Sequence, residues 1–189
     1  MAQDTCTWPG TEQIYLDYHD HEWGVPEHDS RALWEKLILD GFQAGLSWIT
    51  ILKKRDNFRA AFAGFDPDVV AGFTQDDVTR LLGDAGIIRH RGKIEAAIAS
   101  AKAWQRIEAD VGFAKFLWDY VDGTPIQNNF SRMDQVPAAT DLSTQVSKDL
   151  KAAGFKFCGP TIVYAFMQAV GMVNDHMVGC PRHLAVQKL

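Results

Sequence analysis

Cysteine and histidine residues near the two ends of the chain have the right chemistry for a metal site. Cys6 and His19 lie in the first two dozen residues, and His176 and Cys180 lie in the last fifteen. The His-x-x-x-Cys spacing of the second pair would place both side chains on one face of a helix. Two thiolates and two imidazoles make a complete tetrahedral zinc set. Spacing alone leaves two interpretations open, a zinc ion that joins the two ends or four unrelated side chains.

The other features of the sequence indicate a protein of the cytoplasm. Three cysteines are too few, and an odd number, for a disulfide framework, which favours a reducing compartment. Cys158 is predicted to be an unliganded thiol in the core. The segment from Met1 to Gly10 lacks a basic stretch followed by an apolar one, and no apolar run approaches the roughly 20 residues that cross a bilayer. We expect no membrane partner, and nothing in the sequence suggests more than a monomer.

The charge pattern permits local DNA binding. The net charge of −5 counts against a general nucleic-acid coat. Basic residues nevertheless cluster in a few places and could meet phosphates while the rest of the surface stays acidic. Solvated helix faces would give the same pattern. The clusters comprise residues 53–55, residues 89–93, and Lys148, Lys151 and Lys156.

Helical periodicity over nearly the whole chain predicts an all-α protein. No alternating strand pattern of useful length is present, and no internal repeat. The length of 189 residues fits one domain, residues 1–189. If the two ends share a metal, one lobe is built from both termini and the other from the middle of the chain. The predicted helices cover residues 32–39, 46–62, 78–82, 93–108, 113–121, 143–153 and 161–170.

A helix-hairpin-helix is predicted at about residues 143–171. A helix ends at Gly154, an apolar turn containing Lys156 follows, and Gly159 opens the next helix. The free amides and the dipole at the start of that helix favour an anion, so the turn could hold one DNA phosphate without reading sequence. An ordinary helical corner would carry the same pattern.

Four segments resemble those of the DNA-3-methyladenine glycosylase I family within the helix-hairpin-helix DNA glycosylase superfamily. The matches follow the family's order along nearly the whole chain. The resemblance implies structural zinc at Cys6, His19, His176 and Cys180. It also implies base excision repair of double-stranded DNA, by hydrolysis of the N-glycosidic bond of 3-methyladenine and more weakly of 3-methylguanine. The segments are Tyr15–Pro26, Gln43–Thr50, Asp84–Ile94 and Val173–His176.

The chemistry of a methylated base explains why aromatic residues would bind it. A methyl group on N3 gives the purine a positive charge, and a cationic ring prefers an electron-rich aromatic face. By resemblance, Trp48 stacks on the base and Tyr18 helps to bind its edge. We assign Trp23 and Trp34 to the core. The full set of predicted base-binding residues is Tyr18, Trp48, Tyr15, Trp8 and Gln43.

Asp40 is the predicted catalytic residue, at a position where the family usually has glutamate. Its carboxylate would accept hydrogen bonds from the adenine edge and lie near the developing charge. Because Asp is one methylene shorter, the pocket is tighter or a water bridges the gap. By resemblance, the turn at Gly45 and Leu46 enters the duplex where the base has left, with Leu46 as an apolar wedge. The remaining predicted DNA contacts are Gly154, Lys156 and Gly159.

Asn174 occupies the point where superfamily members that excise unmodified or oxidised bases place a catalytic Asp. An amide cannot supply that negative charge, which fits a substrate whose bond is already labile. The adjacent Asp175 points roughly 100 degrees away on a helix, so we expect it to be a poor substitute. The sequence also argues against lyase chemistry, which needs an amine nucleophile near the sugar.

Two other functions are compatible with part of the sequence. A zinc-stabilised DNA-binding module would explain the hairpin and the metal but would leave Asp40, Tyr18 and Trp48 without a role. A hydrolase of small nucleosides would fit the acidic charge. Release of free base from methylated DNA, and its weakening as salt rises, would separate a DNA glycosylase from both.

Overall fold

The computed structural model describes residues 5–189, so the first four residues of the predicted domain, and of the segment Met1 to Gly10, lie outside it. The all-α prediction is confirmed, since helices make up most of this region. Within residues 5–189, no helix combines the length and the apolar character needed to span a membrane. Those residues form α1 (Gln13–His21), α2 (Ser30–Gln43), α3 (Trp48–Leu52), α4 (Arg55–Ala61), α5 (Pro67–Ala71), α6 (Gln75–Gly83), α7 (Arg91–Asp110), α8 (Phe113–Trp118), α9 (Asp141–Ala153), α10 (Pro160–Ala169) and α11 (Pro181–Val186).

Helix α2 is the central element. Asp29 caps its first turn by accepting hydrogen bonds from the backbone amides of Arg31 and Ala32, at 3.0 and 2.8 Å. Apolar residues such as Leu33 and Trp34 are fully buried against α7, α8 and α10. The same helix carries Asp40, which is only 1% exposed. Packing on several sides therefore holds this carboxylate in a rigid setting.

The predicted helix over residues 46–62 is wrong, because the structure divides it into α3 and α4. Lys54, between the two, has a non-helical backbone conformation. Its side chain donates a hydrogen bond to the carbonyl oxygen of Ala85 at 2.9 Å. The apolar residues of this stretch have mixed spacings and do not form one stripe, so each short helix buries its own face, including Trp48 on α3 and Phe58 on α4.

Two very short strands, β1 (Ile126–Gln127) and β2 (Val173–Asn174), pair in parallel. Strands of two residues leave no alternating pattern that a sequence could reveal. These strands contradict one expectation, because the backbone from Val173 to Cys180 is not helical. His176 and Cys180 therefore do not share a helix face, as their spacing predicted, but lie on either side of a turn.

Helices α9 and α10 pack against each other and are joined by residues 154–159. Gly154 ends α9 in the left-handed conformation, at φ 110°, which a side chain would disfavour. Ser147 fixes the turn by donating a hydrogen bond to the carbonyl oxygen of Cys158 at 2.6 Å. Cys158 is buried and a free thiol, as predicted.

The N-terminal and C-terminal segments touch through two glycines with positive φ. A Cβ on Gly171 (φ 73°) would lie 2.5 Å from the backbone nitrogen of Pro26, and one on Gly24 (φ 81°) would lie 2.9 Å from Nε2 of His176. The backbone amide of Glu27 also donates to the carbonyl oxygen of Val170 at 3.1 Å. This close approach brings residues near the two ends of the chain into one site.

We predict that Gly171→Ala lowers the free energy of unfolding by about 3 kcal/mol, because it adds a backbone clash to the cost of a positive φ. Gly123→Ala is the matched control, since Gly123 also has a positive φ (70°) but has open space around it. The control should cost only about 1 kcal/mol in urea denaturation. Equal losses for the two variants would contradict the close packing of the two segments.

Candidate functional site

A cavity of about 380 Å³ contains every predicted base-binding residue. Tyr18 and Trp48 form one corner, with ring centroids 5.4 Å apart, and both are buried. Trp8 and Tyr15 meet edge to face at 5.0 Å. Gln43, at the end of α2, completes this wall. The size and the aromatic lining suit a flat ligand such as a nucleobase.

Asp40 lies in the same cavity, in contact with a residue that the sequence analysis did not select. The ammonium of Lys36 donates to Oδ1 of Asp40 at 2.5 Å and lies 3.9 Å from the centroid of the Trp48 ring. Lys36 is one helical turn before Asp40, so the i,i+4 spacing was a readable signal for the pair. The site therefore joins a carboxylate and an indole face through one cation.

Several polar atoms at this site are buried but lack a hydrogen-bond partner among residues 5–189. They are Oδ2 of Asp40 and the indole nitrogens of Trp48 and Trp8. A buried acceptor or donor without a partner costs about 1–3 kcal/mol, so such atoms are rare in folded proteins. Asp40, Trp48 and Trp8 all line the cavity, so their one acceptor and two donors are groups that a polar, flat ligand could satisfy.

Burial alters the ionisation of the groups around the cavity. It raises the pKa of Asp40 and lowers the pKa of Lys36, while the attraction between the two opposes both shifts. The short contact favours the ion pair in the free protein. Burial also raises the pKa of Tyr18 well above its usual value, so its hydroxyl stays protonated and can donate a hydrogen bond.

The position of Asp175 in the cavity contradicts the expectation for Asn174 and Asp175. The segment is extended rather than helical, so it is Asp175 that lines the cavity. Asn174 points away and donates to the carbonyl oxygen of His183 at 3.0 Å. Asp175 accepts hydrogen bonds from Tyr164 and Gln168, at 2.7 and 2.8 Å. Those donors hold its carboxylate as part of the wall.

The two tryptophans assigned to the core behave differently. Trp34 is fully buried, as predicted. Trp23 is also buried, but it lines the cavity and its ring meets those of Trp8 and His176 edge to face, at 5.0 and 4.6 Å. The core assignment of Trp23 is therefore incomplete, since this residue connects the cavity to the cysteine and histidine cluster.

The turn after α2 projects into solvent next to the cavity. Leu46 is 43% exposed, and Gly45 has φ 82° with no atom near its missing Cβ. Lys93 holds the base of the turn, because its ammonium donates to the carbonyl oxygens of Phe42 and Ala44 at 2.9 and 2.6 Å. Leu46 is therefore an exposed apolar side chain on a firmly anchored turn beside the cavity.

The turn between α9 and α10 also faces solvent. Gly154 and Lys156 are exposed, and Gly159 precedes the first residue of α10. The ten-residue α10 therefore presents its N-terminal amides beside this turn.

Cys6, His19, His176 and Cys180 converge, with their ligand atoms all within 4.8 Å of one another. Nδ1 of His176 lies 3.7 Å from Sγ of Cys6 and 3.8 Å from Sγ of Cys180, which also lies 3.8 Å from Nε2 of His19. Zn–S and Zn–N bond lengths in a tetrahedron give about 3.6 Å between sulfur and nitrogen ligands. The cluster therefore has the dimensions to hold a metal ion.

The surroundings of the cluster orient its donors inward. Nδ1 of His19 contacts Oδ1 of Asp20 at 2.7 Å, and Nε2 of His176 contacts the carbonyl oxygen of Trp23 at 3.0 Å. These acceptors take the ring protons, so the other nitrogen of each imidazole faces the sulfurs unprotonated. The hydrogen bond between the two sulfurs lowers the pKa of Cys180 and raises the pKa of Cys6, so Cys180 is the thiolate of this pair. Cys6 would lose its proton when a metal binds.

The chain is similar to known proteins over most of its length. A family model described as methyladenine glycosylase matches residues 8–183. DNA-3-methyladenine glycosylase 1 of Escherichia coli (strain K12) is 51% identical over 178 residues, or 94% of this chain and 95% of that protein. A crystal structure of 3-methyladenine DNA glycosylase I has a TM-score of 0.92 at 52% identity, over 94% of this chain and 98% of that one.

A further solved structure adds a ligand. It is a tyrosine-to-phenylalanine variant of 3-methyladenine DNA glycosylase I in complex with 3-methyladenine, with a TM-score of 0.91 at 42% identity. The match covers 94% of this chain and 96% of that one. These findings confirm the resemblance seen in the sequence: the chain belongs to the methyladenine glycosylase family.

Proposed function

We propose that this protein is a DNA-3-methyladenine glycosylase, which releases 3-methyladenine from alkylated DNA by hydrolysis of the N-glycosidic bond. The observation that carries the proposal is the placement of Asp40, Tyr18 and Trp48 in one cavity. The family membership and the relative bound to 3-methyladenine support it. A DNA-binding module without catalysis would not need a buried carboxylate with an unused acceptor atom.

The charge of the damaged base explains how these residues would act. A 3-methylated purine is cationic in DNA and leaves as a neutral base, so little catalytic assistance is needed. The negative charge of Asp40 and the indole face of Trp48 both favour a cation. Oδ2 of Asp40 is free to accept a hydrogen bond from the exocyclic amine, and the Tyr18 hydroxyl can donate to a ring nitrogen. Intact adenine, which lacks the charge, gains less from this pocket.

The remaining predicted contacts divide between base and DNA. Trp8, Tyr15 and Gln43 would line the base pocket. Leu46, on the exposed turn with Gly45, would fill the space that the extruded base leaves in the duplex. Gly45 and Leu46 follow the end of α2, where Gln43 lines the cavity. The wedge and the pocket would therefore act on the same nucleotide.

The turn between α9 and α10 would hold the DNA backbone as a helix-hairpin-helix. Gly154 and Gly159 let the chain approach a phosphate closely, and exposed Lys156 adds positive charge.

We assign both DNA-facing turns to one domain, with one lobe from the two ends of the chain and one from its middle. The proposed partner is double-stranded DNA, bound by a monomer in the cytoplasm, and 3-methylguanine would be a weaker substrate.

Release would proceed by hydrolysis without cleavage of the strand. Contrary to expectation, the cavity does contain an amine, that of Lys36. Its contact with Asp40 at 2.5 Å keeps it as an ammonium, which is not a nucleophile. Asn174 points away from the cavity, so it contributes no charge to the reaction.

We assign zinc to the cysteine and histidine cluster, with a structural role. Two thiolates and two imidazoles are a donor set that selects zinc, and four protein ligands leave no position for a reacting water. When bound, the ion would connect the N-terminal segment that carries Tyr18 to the segment that carries Asp175. Trp8 and Trp23 connect the cluster to the cavity, since their rings contact those of His19 and His176.

Asp40→Asn should lower the rate of 3-methyladenine release at least about tenfold, because the neutral amide cannot balance the charge of the base. The measurement is chromatography of the bases released from alkylated DNA. Asp56→Asn is the control, since the Asp56 side chain is 96% exposed. A rate equal to that of the wild type would remove Asp40 from the mechanism, and failure of the wild type to release base would refute the proposed function.

Leu46→Ala should slow release from duplex DNA more than release from single strands, because a single strand leaves no stacked gap to fill. The two substrates are compared in the same assay. Val178→Ala provides a control, because Val178 has a similar exposure of 41%. Equal losses on both substrates would refute the wedge assignment.

Cys180→Ser should abolish stoichiometric zinc and lower the melting temperature by roughly 10 °C. Metal is measured by atomic absorption and melting by circular dichroism. Cys158→Ser should retain the metal, because this thiol lies outside the cluster. An unchanged melt with one zinc ion still bound to Cys180→Ser would contradict the assignment.

A further inference from the structure

The base site that we propose already contains a positive charge from the protein itself, the ammonium of Lys36. Lys36 places its ammonium 2.5 Å from Oδ1 of Asp40 and 3.9 Å from the centre of the Trp48 ring. These are the two groups that would recognise a cationic base. Two cations cannot share one carboxylate and one indole face without strong repulsion in a buried site. Base and ammonium therefore compete.

A second cavity gives the ammonium of Lys36 an alternative position. Lys36 also lines an adjacent cavity of about 250 Å³, which is separate from the aromatic one and borders Tyr18 and Leu39. The flexible four-carbon stem of a lysine can turn between two such sites without movement of the backbone. Lys36 is thus positioned between two cavities, with α2 as a fixed support.

The charges of the adjacent cavity suit an incoming ammonium. Three carboxylates border it, those of Glu22, Glu27 and Glu35, against the two guanidinium groups of Arg55 and Arg59. Arg55 binds both oxygens of Glu22, at 2.5 and 2.8 Å, and Arg59 binds Glu35 at 2.7 Å. One negative charge remains, and the ammonium of Lys36 would balance it.

We propose that Lys36 is a resident competitor for the base. Its ammonium occupies the site between Asp40 and Trp48 in the free protein, moves to the adjacent cavity when the methylated base enters, and returns to expel the product. This inference rests on the proposed function. The substrate is cationic and is also held by its DNA backbone, so it can displace the ammonium. The released base is neutral and untethered, and it competes poorly for the same two partners.

Lys36→Met should bind free 3-methyladenine at least about tenfold more tightly than the wild type, because the ligand no longer has to break the ion pair. Isothermal titration calorimetry with the free base gives the dissociation constants. Lys102→Met, at an exposed position on α7, serves as the control and should match the wild type. A loosened pocket would change the affinity in the opposite direction, so unchanged or weaker binding by Lys36→Met overturns the inference.

A second measurement needs no variant. In a crystal structure of the wild-type protein with 3-methyladenine, the base should lie on Trp48 and Nζ of Lys36 should be more than about 4 Å from Asp40, beyond ion-pair distance. Lys36 still over the Trp48 ring would overturn the inference. Base release from alkylated DNA by the wild type tests the proposed function separately. If the wild type releases base but Lys36→Met binds the free base no more tightly, the proposed function stands and the role of Lys36 is refuted.

Discussion

The buried carboxylate of Asp40 is the constraint on which the rest of this site depends. An isolated charge at that depth would be very costly, so the surroundings must supply a cation. In the free protein that cation is Lys36, and the proposed substrate would bring another. Tyr18 and Trp48 line the same cavity as Asp40, and their rings stabilise the positive charge that the carboxylate attracts. Helix α2 carries both charged groups and is packed on several sides, which keeps the carboxylate from moving toward water.

The second constraint is the junction of the two ends of the chain. The aromatic wall comes from the N-terminal segment, whereas Asp175 comes from the C-terminal one, so neither end alone can build the cavity. Gly24 and Gly171 allow the two backbones to approach closely, and the cysteine and histidine cluster lies beside them. Trp23 contacts both the cluster and the cavity, so the stability of the junction and the shape of the base pocket are physically linked.

Much of this could be predicted from the sequence, and the parts that failed have physical reasons. The helical class followed from periodicity, and Asp40 with Trp48 followed from resemblance in short segments. Lys36 lies outside the segments that carry the resemblance, so its i,i+4 relation to Asp40 was the one signal for this pair. Asp175 was misjudged because a two-residue strand leaves no pattern, so its backbone was taken as helical. The break at Lys54 depends on the carbonyl of Ala85, a contact between distant residues that local spacing does not encode.

The origin of the cavity walls in opposite ends of the chain has a consequence for biosynthesis. During translation, α1 and its tyrosines emerge from the ribosome well before β2 and Asp175. The early segment must therefore wait, with several large aromatic side chains exposed to water, until the segment that carries Asp175 has been made. A nascent chain that lacks β2 has an incomplete cavity, and its unburied aromatic side chains favour aggregation until the C-terminal segment folds onto them.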